Sequence, residues 1–472
     1  MIKKQFSFTV ILLGLLMTGC QQKRVEITSH VPSPLDCKDC NIVIISLSSF
    51  NTAHSTLYGY KKDTDVKTAE WMKNAVIFDN HFATSYWAFQ ANMSLFTGLQ
   101  PYNHKVLLSK FHNNGKEDVL DKKIPTLPQE LQSAGYKTLS FSGSPHGMLI
   151  SPSAGFGKGF DYNSFLEVQN TADLNVLDGW MDKVSDKKFF AYISSVRLHF
   201  SYYITPEFAG KKFKEKNYKG KFPQSEADYE KKYAQYTTAV LKEGAPDAEK
   251  KIRPIQFLKS TLNPQDPKDI EFLNNTYDQA LQYTDTFVDH IFNYLKNKKI
   301  LDKTIVILTS DMGQNLLVPY NDDKNKVSFS PLASEYPVDA VTRIPLMIYL
   351  PSREKAQSKM MRITNITNTT DILPTILGIS GLGLSSPTDG INLLPVIAGT
   401  STTTRTTSQG YAYRSEKENI AYVRDEEKIL VSRDGILEMV NAKTKKFEEL
   451  TGATGVLKEE MIKLKNNIQS KK

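Results

Sequence analysis

Cysteine is nearly absent from this chain, with three in 472 residues. Cys37 and Cys40 form one isolated C-x-x-C, two ligands short of the four that a structural zinc site uses, which weighs against a zinc-organised fold. Beyond the first twenty residues, no segment has the roughly 20 consecutive apolar residues that a membrane-spanning helix needs, which excludes a polytopic helical membrane protein. A large excess of charge of either sign is also lacking. The formal net charge is +8, modest for this length, and lysine is spread along the chain with its greatest density in the middle. That distribution reads as a solvated basic surface rather than a nucleic-acid-binding one, and it leaves attraction to anionic lipid or polysaccharide open.

What is present begins at the N-terminus. Lys3 and Lys4 precede an apolar stretch from Phe6 to Leu16, followed by Met17-Thr18-Gly19-Cys20. A basic start, a short apolar segment and small residues describe an export signal. Small residues leading straight to a cysteine resemble a bacterial lipobox, which implies Cys20 as the lipidated first residue of the mature protein. An ordinary signal with an incidental cysteine is the alternative. The expected product is a body held outside the cytoplasm by acyl chains, on the periplasmic face or the cell surface. In that oxidising setting Cys37 and Cys40 read as a local disulfide, with a redox or metal role as the alternative. Residues 1–19 are then signal and 20–40 tether. The remaining length, about 450 residues, suits one large α/β domain over 41–400 and a small C-terminal subdomain over 401–472. Within the large domain, 211–251 reads as a charged surface insertion rich in Lys, Glu, Tyr and Gln.

Two apolar β-branched runs set the core. Asn41 to Leu47 (NIVIISL) and Thr304 to Leu308 (TIVIL) favour strands buried on both faces, and in open α/β sheets ligands collect at the carboxyl ends of such strands. The first ends in Ser48-Ser49-Phe50-Asn51, with Tyr58-Gly59-Tyr60 beyond; the second ends in Ser310-Asp311-Met312-Gly313. Between them, Tyr277, Leu281, Thr284, Phe287, Val288, Ile291 and Leu295 recur at helical spacing over Asn274 to Lys296 and predict a helix packed on the sheet. Phe189 to Arg197 is a further strand, and the segments AYVR, KILVS and ILEMV after Tyr411 read as short strands before a terminal helix.

These segments resemble, in order, those of the sulfatases, a branch of the alkaline-phosphatase superfamily. The similar stretches are Ser310-Asp311-Met312-Gly313 to Ser-Asp-His-Gly, Ser94-Leu95-Phe96-Thr97-Gly98 with Pro101 and His104 to the nucleophile-bearing helix, and Gly135-Tyr136-Lys137-Thr138, Gly159-Phe160-Asp161 and Arg343-Ile344-Pro345-Leu346 to scaffold segments. The resemblance implies an α/β fold with a central mixed sheet flanked by helices and a small C-terminal sheet. It also implies, for active members, ester hydrolysis at a divalent metal, calcium or magnesium.

At the positions that would carry that chemistry, this chain departs from the pattern. The two N-terminal metal-binding aspartates are Ser48 and Ser49, and the nucleophile, ten residues before Gly98, is Ala88. Gln90 and Asn92 stand where the family has Pro and Arg, and Met312 where it has the metal-facing His or Asn. Asp311 is the sole retained ligand position. Neutral hydroxyls and a soft thioether do not replace anionic oxygens around a hard cation, and alanine has no nucleophilic atom. His199, at the end of a buried strand, and His146, matched only with an offset, are the weak catalytic candidates. The expectation is a degenerate site with no cofactor, acting in binding or regulation towards a glycan, a lipid head group or a protein partner. The alternative is an active sulfate- or phosphate-ester hydrolase or transferase that uses a non-standard site.

Overall fold

The computed structural model describes Leu35 and residues 37–470 apart from 111–112, 114, 144–149, 169–170, 200–217, 243–253, 264–265, 317–336, 357, 402–404, 416–417, 427, 434–435, 442–446 and 449–454. Cys20 and His146 lie outside the described residues.

Eight strands form the large sheet: β1 (Asn41–Leu47), β2 (Val76–Phe82), β3 (Lys137–Ser142), β4 (Tyr162–Ser164), β5 (Phe189–Ser195), β6 (Thr304–Thr309), β7 (Leu346–Tyr349) and β8 (Met361–Asn368). Their spatial order is β4-β3-β5-β1-β6-β7-β2-β8. β7 alone runs against its neighbours, so the sheet is mixed. β1 sits between β5 and β6, paired parallel to both. The alternation of its side chains explains why the whole run is apolar: Val43 and Ile45 enter one core and Ile42 and Ile44 the other. β6 divides in the same way, Val306 and Leu308 on one side and Ile305 and Ile307 on the other.

Two helices carry residues of the site, and a third occupies the charged insertion. α1 (Ala88–Thr97) is buried along its length and ends at Gly98 in the left-handed region, φ 66°. There a Cβ would also come within 2.3 Å of the Thr388 hydroxyl, so only glycine closes this helix. α2 (Glu226–Lys242) lies in the charged insertion. α3 (Pro267–Asn297) covers one face of the sheet, and all seven residues expected on its apolar stripe are buried. Five further strands, β9 (Ser408–Ser415), β10 (Glu418–Arg424), β11 (Lys428–Arg433), β12 (Ile436–Asn441) and β13 (Phe447–Glu448), make a separate antiparallel sheet, followed by helix α4 (Gly455–Gln469). The α/β architecture expected from the sequence is therefore present, small C-terminal sheet included.

A Cys37–Cys40 disulfide closes the turn before β1. Cys40 is buried and the Cys37 N–H donates to Ile379 O at 2.7 Å. The chain thus joins the folded body before the first strand begins.

Candidate functional site

Register brings the two motif-bearing ends together. Ser46 pairs with Thr309 across β1 and β6, so Ser48 and Ser49 emerge beside Ser310 and Asp311 at the carboxyl edge of the sheet. Four polar contacts fix this juncture. The Ser49 N–H faces Asp311 Oδ1 at 3.4 Å, and the Phe50 N–H donates to Ser310 Oγ at 3.3 Å. Tyr277 of α3 donates to Ser49 O at 2.9 Å and accepts from the Asn51 N–H at 2.7 Å. At Gly313 an added Cβ would lie 2.2 Å from Ala340 O, so the turn after Asp311 needs glycine for close backbone approach.

Asp311 is buried, and every donor to it is neutral. Met312 N–H donates to Oδ1 at 2.7 Å and Asn92 Nδ2 to Oδ2 at 3.1 Å. Asn92 is held in turn by the Tyr192 hydroxyl, 3.2 Å from its Oδ1. No ion pair to Asp311 occurs among the described residues. Burial accordingly pushes its pKa up, against the lowering effect of the Ser48 hydroxyl, these amides and the Ser49 N–H. The donor set does not fit a divalent cation. One carboxylate, already engaged by N–H groups, stands with two serine hydroxyls and a thioether, and no group of three His, Cys, Asp or Glu able to hold a metal ion occurs among the described residues.

Ser49 is strained as well as buried. Its φ is +68°, in the region that favours glycine, and its hydroxyl, like that of Ser48, meets no partner at full hydrogen-bond geometry. Left-handed backbone at a non-glycine residue costs about 1–2 kcal/mol and an orphaned buried hydroxyl about 1–3, against about 0.5–1 for the extra chain entropy of glycine. Ser49→Gly is therefore expected to stabilise the fold by about 1 kcal/mol or more, read as a higher urea midpoint. A lower midpoint would mean that the serine side chain is in use.

Ala88, where the sequence resemblance leads one to expect a nucleophile, carries no nucleophilic atom. Ala88 opens α1 and is 6% exposed. Ser85 donates to Gln90 Oε1 at 2.9 Å and accepts from the Trp87 N–H, which fixes the loop ahead of the helix. Gln90 Nε2 donates to Leu107 O at 2.8 Å and to Tyr413 O at 2.5 Å, tying α1 to the small sheet. Ser94 lies 3.2 Å from His104 Nε2, but His104 Nδ1 accepts from the Val106 N–H, which assigns the proton to Nε2. His104 then donates to Ser94 instead of taking its proton, and burial lowers its pKa to about 3. His199 lies half-buried in the turn beyond β5, its N–H donating to Val196 O at 2.8 Å.

Glu167, a site-edge residue that no motif marked, sits buried where β3 and β5 end. It accepts from Ser195 Oγ at 2.6 Å and the Val196 N–H at 2.9 Å, and Arg197 Nε lies 3.8 Å away. A Cβ at Gly143 would strike its carboxylate, so that glycine makes its room. Burial raises the Glu167 pKa to about 7, against the lowering effect of Ser195, Val196 and Arg197. With the folded pKa above its unfolded value, the folded form binds the extra proton, and stability falls as pH rises from about 4.5 through about 7. Glu167→Gln should flatten the unfolding midpoint across that window; an unchanged slope would place the titration elsewhere.

Comparison with known proteins gives a consistent family. The model described as Sulfatase matches residues 40–382. N-acetylglucosamine-6-sulfatase of Capra hircus is 26% identical over 168 residues, 35% of this chain and 28% of that protein. Arylsulfatase K of Bos taurus is 27% identical over 139 residues, 29% of this chain and 23% of that protein. The matches thus span less than a third of these relatives' length. Among solved structures, phosphonate monoester hydrolase of Agrobacterium radiobacter is similar with a TM-score of 0.65 at 17% identity, covering 92% of this chain and 96% of that one. A protein in complex with its substrate D-glucosamine-2-N,6-O-disulfate gives a TM-score of 0.67 at 17% identity, covering 92% and 98%. At these identities the structural likeness carries the fold alone.

Proposed function

Since the chain belongs to the sulfatase family, we propose that it is a lipid-anchored, extracytoplasmic member that no longer cleaves esters and acts in binding or regulation at the cell envelope. The observation that carries this reading is the hydrogen-bonding of Asp311. The family position that would face a metal is held by Asn92, Met312 N–H and Ser49 N–H, all neutral, while Ala88 opens the helix where a nucleophile would stand. A cleft so arranged keeps the fold's shape without an anionic cage for a cation or an atom for covalent attack. Its ligand is a glycan, a lipid head group or a protein. A similar N-acetylglucosamine-6-sulfatase and a similar structure holding D-glucosamine-2-N,6-O-disulfate make a glycan the first class to try.

The family itself favours a second reading, an ester hydrolase working through Asp311, His199 and His146. Turnover of aryl sulfate and aryl phosphate esters by the purified chain separates the two. The binding role predicts no turnover above an Asp311→Ala control. Turnover that disappears in that variant would transfer the assignment to the hydrolase.

A further inference from the structure

We infer that the amino-terminal edge of the large sheet is a docking surface for an anionic lipid bilayer, which turns the carboxyl-edge cleft away from the membrane. The inference rests on the lipid-anchored reading above and adds an orientation to it. β5, β1, β6 and β7 are consecutive neighbours in the sheet. The connections entering β5 and β6, the one leaving β7 and the entry of the chain into β1 all lie at one edge, opposite Ser48 and Asp311.

That edge is basic. The turn into β5 carries Lys183, Lys187 and Lys188 against Asp182 and Asp186. The turn into β6 carries Lys296, Lys298, Lys299 and Lys303 against Asp302. After β7 come Arg353, Lys355 and Lys359 against Glu354. Ten basic residues face four acidic ones, an excess of six where the whole chain's formal net charge is +8. The three connections form one surface. Lys298 Nζ pairs with Asp182 at 2.6 Å, bridging the turns into β6 and β5, and the turn Leu301–Lys303 packs on the helix Pro351–Lys355. Lys183 lies 4.3 Å over the half-buried Trp180 and 5.5 Å over Tyr162, an aromatic and lysine pairing suited to a head-group layer.

The chain enters this surface at its middle, through Leu35 and the Cys37–Cys40 turn before β1. Cys20 precedes Leu35 by fifteen residues, a span that reaches at most about 50 Å when extended. An acyl anchor fifteen residues from Leu35 in sequence does not by itself set an orientation, and the lysines supply what it lacks. Four neighbouring strands cover only about 15 Å, and attraction to an anionic leaflet acts within a Debye length of about 8–10 Å. Contact at any one of these connections therefore brings the others into range.

The test uses the full acylated chain, its acyl mass confirmed, in vesicles of phosphatidylcholine with and without about one-third phosphatidylglycerol. Amide hydrogen exchange is read at low and high salt. The expected result is several-fold slower exchange in residues 182–188 and 297–303 on the anionic vesicles alone, lost at high salt. The same loss is expected for Lys187→Glu/Lys303→Glu/Lys355→Glu, a variant of exposed residues whose unfolding midpoint in solution serves as its folding control. An acylated chain with equal exchange on both vesicles, or protected at the carboxyl-edge loops instead, overturns the orientation and leaves the anchor standing. A chain carrying no acyl mass overturns the anchored reading and this inference with it. Protection by soluble heparin with none on anionic vesicles would assign the edge to a polysaccharide and overturn the bilayer.

Discussion

Ser48→Asp is expected to unfold at a much lower urea concentration than the wild type at pH 7, to recover towards pH 4, and to recover at pH 7 when millimolar calcium or magnesium is added. The substitution buries a second carboxylate beside Asp311, whose partners are the Met312 and Ser49 N–H groups and Asn92 Nδ2. None of these brings a positive charge. An uncompensated buried charge costs about 3–5 kcal/mol, and two adjacent carboxyls cannot both ionise at ordinary pH. The folded pKa of the pair is therefore raised, so the folded state holds the extra proton. The loss accumulates as pH rises above the ordinary carboxylate range and vanishes below it. A divalent cation reverses the loss because two carboxylates supply the anionic oxygens that Ser48 and Ser49 do not. Wild-type stability of this variant at pH 7 in chelator would mean that a positive charge already sits beside Asp311.

Arg424→Ala should cost about 3–5 kcal/mol, the largest loss from any single truncation at the seam between the two sheets. Arg424, on β10, is wholly buried. Its Nη1 lies 2.6 Å from Asp339 Oδ1 and 3.3 Å from Thr342 Oγ1, its Nε donates to Asp425 O at 3.2 Å, and its guanidinium sits 3.7 Å over the Phe82 ring. Truncation removes the stacked plane and leaves Asp339 without this buried partner. The same seam holds Tyr422 OH on Ala83 O at 2.8 Å and the Tyr411 N–H on Thr84 O at 2.9 Å, just ahead of α1. Loosening it should therefore speed amide exchange in residues 83–92 as well as in β10. Arg424→Lys should also lose stability, because an ammonium keeps the charge but neither the fork nor the stack. Denaturant unfolding of both variants checks this, and a loss under about 1 kcal/mol for alanine would show that the seam is held by its other contacts and not by Arg424.

The parts of this molecule that could be read from its sequence are those with a periodic or local cause. β1 and β6 were legible because a strand buried on both faces must be apolar throughout, as Ile42 to Ile45 and Ile305 to Leu308 are. The stripe from Tyr277 to Leu295 was legible because only a helix brings those positions to one face. The departures expected at Ser48, Ala88 and Met312 rest on the register that flanking residues such as Gly98 and Gly313 set, and both glycines have backbone reasons to be there. Features that depend on tertiary contact were not legible. Asn92 and Tyr192 are a hundred residues apart and meet only through the packing of α1 on the sheet. Glu167 reads as an ordinary surface carboxylate until Gly143 and Ser195 are placed around it. Arg424 sits in a strand the sequence does reveal, but nothing in AYVR tells that this arginine is the buried one. The left-handed backbone at Ser49 carries no signal, since serine rarely adopts it.

Neutral hydrogen bonds, in place of a cation, hold the Asp311 pocket together. The most direct test is divalent-metal content of the chain purified without chelator, together with the thermal midpoint in EDTA and in millimolar calcium or magnesium. Substoichiometric metal and one midpoint in all three solutions are expected. One tightly held divalent ion per chain, with a midpoint that drops in EDTA and returns with the ion, would contradict this.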